Sequence, residues 1–319
     1  MAKSYGHNSY VGWKKENIWG IYENPVVYFP ILPGANLKDN IPMLVRNSEL
    51  RHSRFPMTPL VGGKMAEGGF KMNAYPNKIG YLFSNIFGDS VSTLVAAGVY
   101  DHVFEPGIAQ SNSASVELQI GSTNPRNYAG FKIKSLTFSN DNAGILMVEV
   151  AGGSKVSDEG VTDAVTYVET IPFVFHHAAV SLAGDSRYLD SVNLVIDNMI
   201  KLDEFKVGAG QNIQEQDISG MYKITGDFVL DHETWVDFDA HAAQTDVAVT
   251  ITYTSAEVIT AAYVYTLTIT LPKVRYENPV PDAAEDRIKE TIPFEAFAGT
   301  VGASTVPISI TLRDAAASY

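Results

Sequence analysis

The sequence predicts a mainly β fold: antiparallel sandwich or barrel domains, each flanked by one short helix, in two tandem copies. Three observations predict it. Period-two alternation of apolar and polar residues recurs along the chain. Helix-period stretches are confined to two short places, and one pattern of strand and helix returns about halfway along. Two lone helices among many strands fit antiparallel sheets, because a parallel sheet needs a crossover helix between successive strands.

The first strand candidate, 69–75, leads into a helix at 76–88. Pro76 suits the first helical position, Ile79, Leu82, Phe83 and Ile86 follow at helical spacing, and Gly88 supplies the stop. Over 115–121, Val116, Leu118 and Ile120 alternate with Glu117 and Gln119. Strands at 131–138 and 145–150 flank the turn cluster 139–144 and read as a hairpin. Strands at 192–198 and 222–230 follow, then a shorter helix at 233–243 with Trp235, Phe238 and Ala242 on one side. Val247, Val249, Ile251 and Tyr253 share one face of 245–254, and Tyr263, Tyr265, Leu267, Ile269 and Leu271 share one face of 263–271. Only a strand puts every second residue on one side, and β-branched and aromatic residues fit its pleat.

The two halves echo each other. Residues 68–73 align with 220–225, and each segment runs on into its half's helix. Residues 116–120 align with 265–269, and 132–134 with 273–275. Loops that vary while strands persist give this drifting register. The division expected is an N-terminal arm, 1–24, a first domain, 25–155, and a second, 156–319, with the Gly- and Ser-rich stretch 151–159 as the seam.

A chain of 319 residues has room for two domains of about 150. Apolar residues at 45% can fill a core, and 18% charge is too little for a disordered chain. The 23 Lys and Arg face 36 Asp and Glu, a formal charge of −13, which argues against a surface that grips DNA or RNA. The excess is lopsided. Residues 1–160 carry 14 basic and 13 acidic side chains, a balance of +1, and residues 161–319 carry 9 and 23, a balance of −14. Without cysteine there is no disulfide framework, thiolate nucleophile or Cys-ligated metal. No signal peptide or bilayer-spanning run is legible, so a soluble protein made in a cytoplasm is expected.

No catalytic constellation stands out. No nucleophile elbow, HExxH, Walker loop or dinucleotide fingerprint occurs. His176 and His177 would face opposite sides of a strand, and His232 and His241 lack a carboxylate at ligand spacing. The acidic run Asp227, Asp231, Glu233, Asp237 and Asp239 lacks the alternation of a calcium loop and reads as a solvated face. No enzyme, cofactor or metal is expected.

Several segments, in this order, carry a family resemblance: Gly12-Trp13-Lys14-Lys15-Glu16 to Gly20-Ile21-Tyr22-Glu23-Asn24-Pro25; the block 76–88 followed by 100–106; 128–138; 191–198; and 224–228. Together they make the chain resemble the tail tube proteins of long-tailed, siphovirus-type bacteriophages. Trp and Ile in the opening segment depart from the small polar residues frequent there.

The resemblance implies tube domains, a β-sandwich with a flanking helix, assembled into stacked rings around a DNA conduit. A duplicated chain would build trimeric, pseudo-hexameric rings, and an unduplicated one hexameric rings. It further implies a virion protein of the tail, assembled in the host cytoplasm, with tape measure, tail-tip and tail-terminator proteins as partners and no membrane insertion. DNA would pass through the lumen without adhering. Lys71 and Asn73 of one copy and Lys223, Thr225 and Asp227 of the other are then candidates for lining the bore, or else an ordinary solvent face.

Ring stacking would use the arm 1–24 and two loops. Loop 37–59 carries Arg51, Arg54 and Phe55, and loop 201–219 carries Asp203, Glu204, Phe205, Glu215 and Asp217. Opposite charges on the two loops suit contact between rings. Deleting 1–24 is expected to leave a folded monomer that forms no tubes. The competing readings are a carbohydrate-binding β-sandwich module of a tail fibre or surface-layer protein, a head decoration protein and, last, a glycosidase.

Overall fold

Alternating β-branched and aromatic residues put most of the chain into strands in the computed structural model, which describes residues 5–46, 55, 57–107, 112–121, 124–161, 165–167, 170–260, 262–282 and 287–319. The first half forms β1 (Tyr10–Lys15), β2 (Val27–Phe29), β3 (Lys38–Asn40), β4 (Met43–Leu44), β5 (Leu60–Val61), β6 (Met65–Asn73), α1 (Pro76–Phe87), β7 (Val91–Ala96), β8 (Val99–Phe104), β9 (Ala114–Gln119), β10 (Arg126–Asp141), β11 (Met147–Ser154) and β12 (Asp158–Glu159). The second forms β13 (Ala178–Leu182), β14 (Asp185–Arg187), β15 (Ser191–Asp197), β16 (Ile200–Lys201), β17 (Asp217–Ile218), β18 (Lys223–Asp231), α2 (Val236–Ala242), β19 (Val247–Thr260), β20 (Tyr263–Tyr276), β21 (Val280–Asp282), β22 (Lys289–Phe297), β23 (Gly299–Val301), β24 (Ser304–Val306) and β25 (Ser309–Asp314).

The ladders between these strands are antiparallel. The principal sheet runs β3, β6, β11, β10, β15, β18, β22, β20; one edge of β20 pairs with β22 at Lys273–Tyr276 and with β25 at Thr266–Thr270, β25 leading on to β8 and β7, and its other edge pairs with β19, followed by β13 and β14. β10 belongs to two sheets. Its Arg126–Phe131 end pairs with β9, which leads to β1 and β2, and from Ser135 onward it pairs with β15. Among the described residues these pairings close no ring, so the sheet stays open. The halves are joined by two ladders, β10–β15 and β8–β25, and share one sheet.

α1 covers the inner face of this sheet. Ile79, Leu82, Phe83 and Ile86 are fully buried, with the Phe83 ring 5.8 Å from Phe138 and 5.3 Å from Phe104. Each such side chain contributes about 1.5–3 kcal/mol by leaving water. Gly88 ends the helix at φ +95°, which a side chain would strain. A second aromatic cluster joins the two sheets: Trp13 packs on Phe29, Phe70 and Phe131 at 5.9, 6.4 and 5.7 Å between ring centres.

Several expectations need correction. Residues 10–24 are no free arm, because β1 lies between β2 and β9 and Trp13 is 1% exposed. Deleting 1–24 would therefore remove core. On β9 the polar side is buried too: Glu117 accepts hydrogen bonds from the Tyr10 and Tyr22 hydroxyls at 2.6 and 3.1 Å, whereas Ile120 is exposed. The N-terminal segment covers the face that alternation assigned to water.

In α2 the apolar side points outward. Trp235 and Phe238 are exposed, and Asp237 is buried with its carboxyl pushed up by burial. His176 and His177 sit on a 3-10 turn with rings 4.6 Å apart, and His232 has a carboxylate partner in Glu290 at 2.7 Å. Finally, 265–269 and 273–275 lie on one strand, β20, whereas 116–120 and 132–134 lie on or beside β9 and β10. In chain order the strand, helix and antiparallel pair are β6, α1, β7, β8 in the first half and β18, α2, β19, β20 in the second, so 116–120 and 132–134 lie beyond the pair that follows α1.

Candidate functional site: the polar face of the sheet

Directly opposed residues in a ladder share a face. Following the register across six strands gives one row of Lys71, Glu149, Thr137, Val195, Thr225 and Glu295. The row toward the α1 end of β6 is Asn73, Met147, Ser139, Asn193, Asp227 and Pro293. The row on the other side is Gly69, Ala151, Ser135, Asp197 and Lys223. All five residues singled out from the sequence, Lys71, Asn73, Lys223, Thr225 and Asp227, therefore lie on one face of one sheet. Their strand neighbours Phe70, Met72, Ile224 and Phe228 are buried on the opposite side.

The face carries charges of both signs. Lys71 pairs with Glu149 at 2.8 Å, and Asn193 Nδ2 donates to Asp227 Oδ1 at 3.0 Å. Over these six strands it carries Asp141, Glu149, Asp197, Asp227 and Glu295 with Lys71, Lys223 and Lys134 at a bulge in β10, and the ladder to β20 continues it with Arg275 opposite Glu295 and Lys273 opposite Phe297.

The two loops are brought together at their bases within one chain. Lys64 bridges to Asn212, and the Phe205 ring lies over Gly63, where a Cβ would come within 2.6 Å of it. Glu204 is held by Lys201 at 3.1 Å, and Glu215 by Lys132 at 2.9 Å, so these acids are matched by their own chain. Asp203 and Asp217 are exposed. Phe55 is 83% exposed, whereas Arg51 and Arg54 lie outside the described residues.

Sequence reasoning missed the buried polar groups that tie these parts together. Glu16 accepts from Gly20 N (2.9 Å), Ser113 Oγ (2.8 Å), Ser115 Oγ (2.9 Å) and Gly130 N (2.7 Å), pinning the N-terminal segment to β9 and β10. Gly130, at φ +74°, leaves room for the Trp19 indole beside it. His102 is fully buried between Ser92 Oγ at 2.8 Å and Asp314 Oδ1 at 3.2 Å, and the Tyr319 hydroxyl donates to Asp314. A dense alternating strand hides such partners, since nothing local marks them.

Among the described residues no group of His, Asp and Glu could hold a metal ion, and no helix is long and apolar enough to cross a membrane. The fold is that of a mainly β protein with one broad, largely polar sheet face. The chain belongs to the phage tail tube protein family, whose model matches residues 6–296. It is therefore a structural component of a phage tail, where such proteins associate with one another. No curated protein matches it.

Proposed function

We propose that the chain is the major tube subunit of a long-tailed, siphovirus-type phage. Copies close into rings, the rings stack, and the polar face lines the bore through which DNA is ejected. The observation that carries this reading is the continuous, largely polar face, to which the first half gives β6, β11 and β10 and the second β15, β18 and β22. Equal contributions suit two tandem tube domains, with three chains forming a pseudo-sixfold ring; six chains form it if the halves are not copies. Charges of both signs on that face, with Lys71 paired to Glu149, form no basic stripe and so create little of the counterion-release affinity of a basic channel. Tape measure, tail-tip and tail-terminator proteins are the partners such a tube requires, and assembly takes place in the host cytoplasm. Negative-stain microscopy of the concentrated protein tests the reading: hollow tubes of uniform bore are expected, and a chain that stays monomeric at millimolar concentration refutes it.

A further inference from the structure

A set of four neighbouring strands in the first half returns in the second with the same register. β3, β6, β11 and β10 lie side by side in that order, and so do β15, β18, β22 and the line formed by β20 and β21. Lys38 faces Glu67 as Val195 faces Thr225, and Asn73 faces Met147 as Asp231 faces Lys289. Glu149 faces Thr137 as Thr291 faces Val280. Lys38 therefore holds the place of Val195, and Val280 the place of Thr137.

One connection lacks its counterpart. The far edge of the first set, Ser135–Asp141 of β10, is covered by β15, the leading strand of the second set. The far edge of the second set is β21, and among the described residues β22 is its one strand partner. β3, the leading strand of the first set, likewise pairs with β6 alone. Seven strand spacings separate these two open edges, roughly 34 Å along the sheet at about 4.8 Å each, and they do not meet within one chain.

The edges differ in chemistry. The Ile288 carbonyl accepts from His232 N, on the β18 side, at 2.9 Å, so alternation turns Lys289 and Thr291 toward β21 and leaves Pro279 and Pro281 pointing outward. Proline has no N–H, so this edge offers carbonyls alone and cannot pair with a copy of itself. On β3 the reverse holds. Asn36 N donates to the Gly69 carbonyl at 2.9 Å, so Leu37 and Asp39 point their N–H groups away from β6. The Leu37 carbonyl, which a proline could not serve, already accepts from the Tyr128 hydroxyl at 3.3 Å.

We propose that β21 of one copy takes β3 of the next, in the register that β10 and β15 show within the chain. The proposal rests on the tube reading and names the strands that join neighbouring chains in a ring. Val280 then stands opposite Lys38 of the next copy, as Thr137 stands opposite Val195. Leu37 and Asp39 of that copy donate to the carbonyls of Pro281 and Pro279. A contact between two different edges of the same molecule runs head to tail, and with a closing rotation it makes a ring.

Val280 is 55% exposed and Lys38 is exposed, so changes there spare the core, and the chain has no cysteine to interfere. In the proposed register the two form a non-hydrogen-bonded pair with Cα atoms about 4.5 Å apart, within disulfide reach. Val280→Cys with Lys38→Cys, assembled and then oxidised, should give covalent multimers that end at one closed ring. Tubes that form without this cross-link overturn the inference and leave the tube reading standing, whereas an unaltered chain that stays monomeric sinks both. Charge supplies a second measurement. Val280→Lys, set against Lys38 of the next copy, should raise the concentration needed for assembly at least about threefold without lowering the monomer's melting temperature, and adding Lys38→Glu should restore it. A threshold that Val280→Lys leaves unmoved, or that Lys38→Glu fails to restore, counts against the pairing.

Discussion

Lys132 Nζ lies 2.9 Å from Glu215 Oε1 and 3.1 Å from the Gln216 carbonyl oxygen, so a fully buried ammonium of the first half is held by a loop of the second. Burial holds its pKa below the usual lysine range, and Glu215 draws it back up. The pair fastens loop 201–219 against β10. Removing the partner strands a charge, which costs more than the pair itself contributes. Glu215→Gln should therefore lower stability by about 1–3 kcal/mol, the lower end reflecting a half-exposed carboxylate. The urea midpoint at unchanged slope reads it, and a midpoint equal to that of the parent chain would show that the pair is dispensable.

Glu16 should matter more. Its four donors include two backbone N–H groups with no alternative partner in the structure. Glu16→Ala leaves all four unsatisfied in a buried place and is expected to cost about 3–5 kcal/mol, with Glu16→Gln between the two. A thermal melt within a degree of the parent would contradict this account of how the N-terminal segment is tied down.

Truncation separates the arm from the core. Removing residues 1–9 should leave the fold intact, because β1 begins at Tyr10. Removing 1–24 takes away Val11 and Trp13 with the ladders to β2 and β9, and should yield an unfolded or aggregated chain. Circular dichroism distinguishes the two, and a β spectrum with a cooperative melt from the longer deletion would refute the assignment.

Alkaline pH should destabilise the protein through its buried tyrosines. Burial pushes Tyr222 up from 10.0 to about 12, and its hydroxyl donates to the Ile86 carbonyl at 2.9 Å. The folded pKa lies above the unfolded one, so the unfolded chain loses its proton first. Stability then falls between pH ~10 and ~12, by about 1.4 kcal/mol per unit for this group. Tyr222→Phe should cost about 1 kcal/mol at neutral pH, and the gap to the parent should close as pH rises. A gap of constant size across that window would count against a raised pKa.

The polar face makes its own prediction. Asp227→Lys with Glu295→Lys reverses two half-buried acids on the side of the sheet away from the core, so folding and tube formation should persist. The assembled variant should retain linear DNA at low salt and release it as salt rises, as phosphate contacts do. Tubes that hold no more DNA than the parent would mean that this face does not meet DNA.

The strands of β19 and β20, the helix at Pro76 and the β10–β11 hairpin are all legible locally, because alternation, a proline at the first turn and a turn cluster are short-range signals. So was the polarity of Lys71, Asn73, Thr225 and Asp227. That these residues share a face depended on β10 pairing with β15 across the halves, and no spacing within a strand encodes its partner. The same limit explains Glu117 and Glu16, buried by contacts about a hundred residues away, and the outward aromatic side of α2. Periodicity is a property of neighbours along the chain and determined which residues could form sheets. Burial and register are properties of neighbours in space, and the tertiary structure alone decided which edges meet, which charges are enclosed and which apolar surface is left for another molecule.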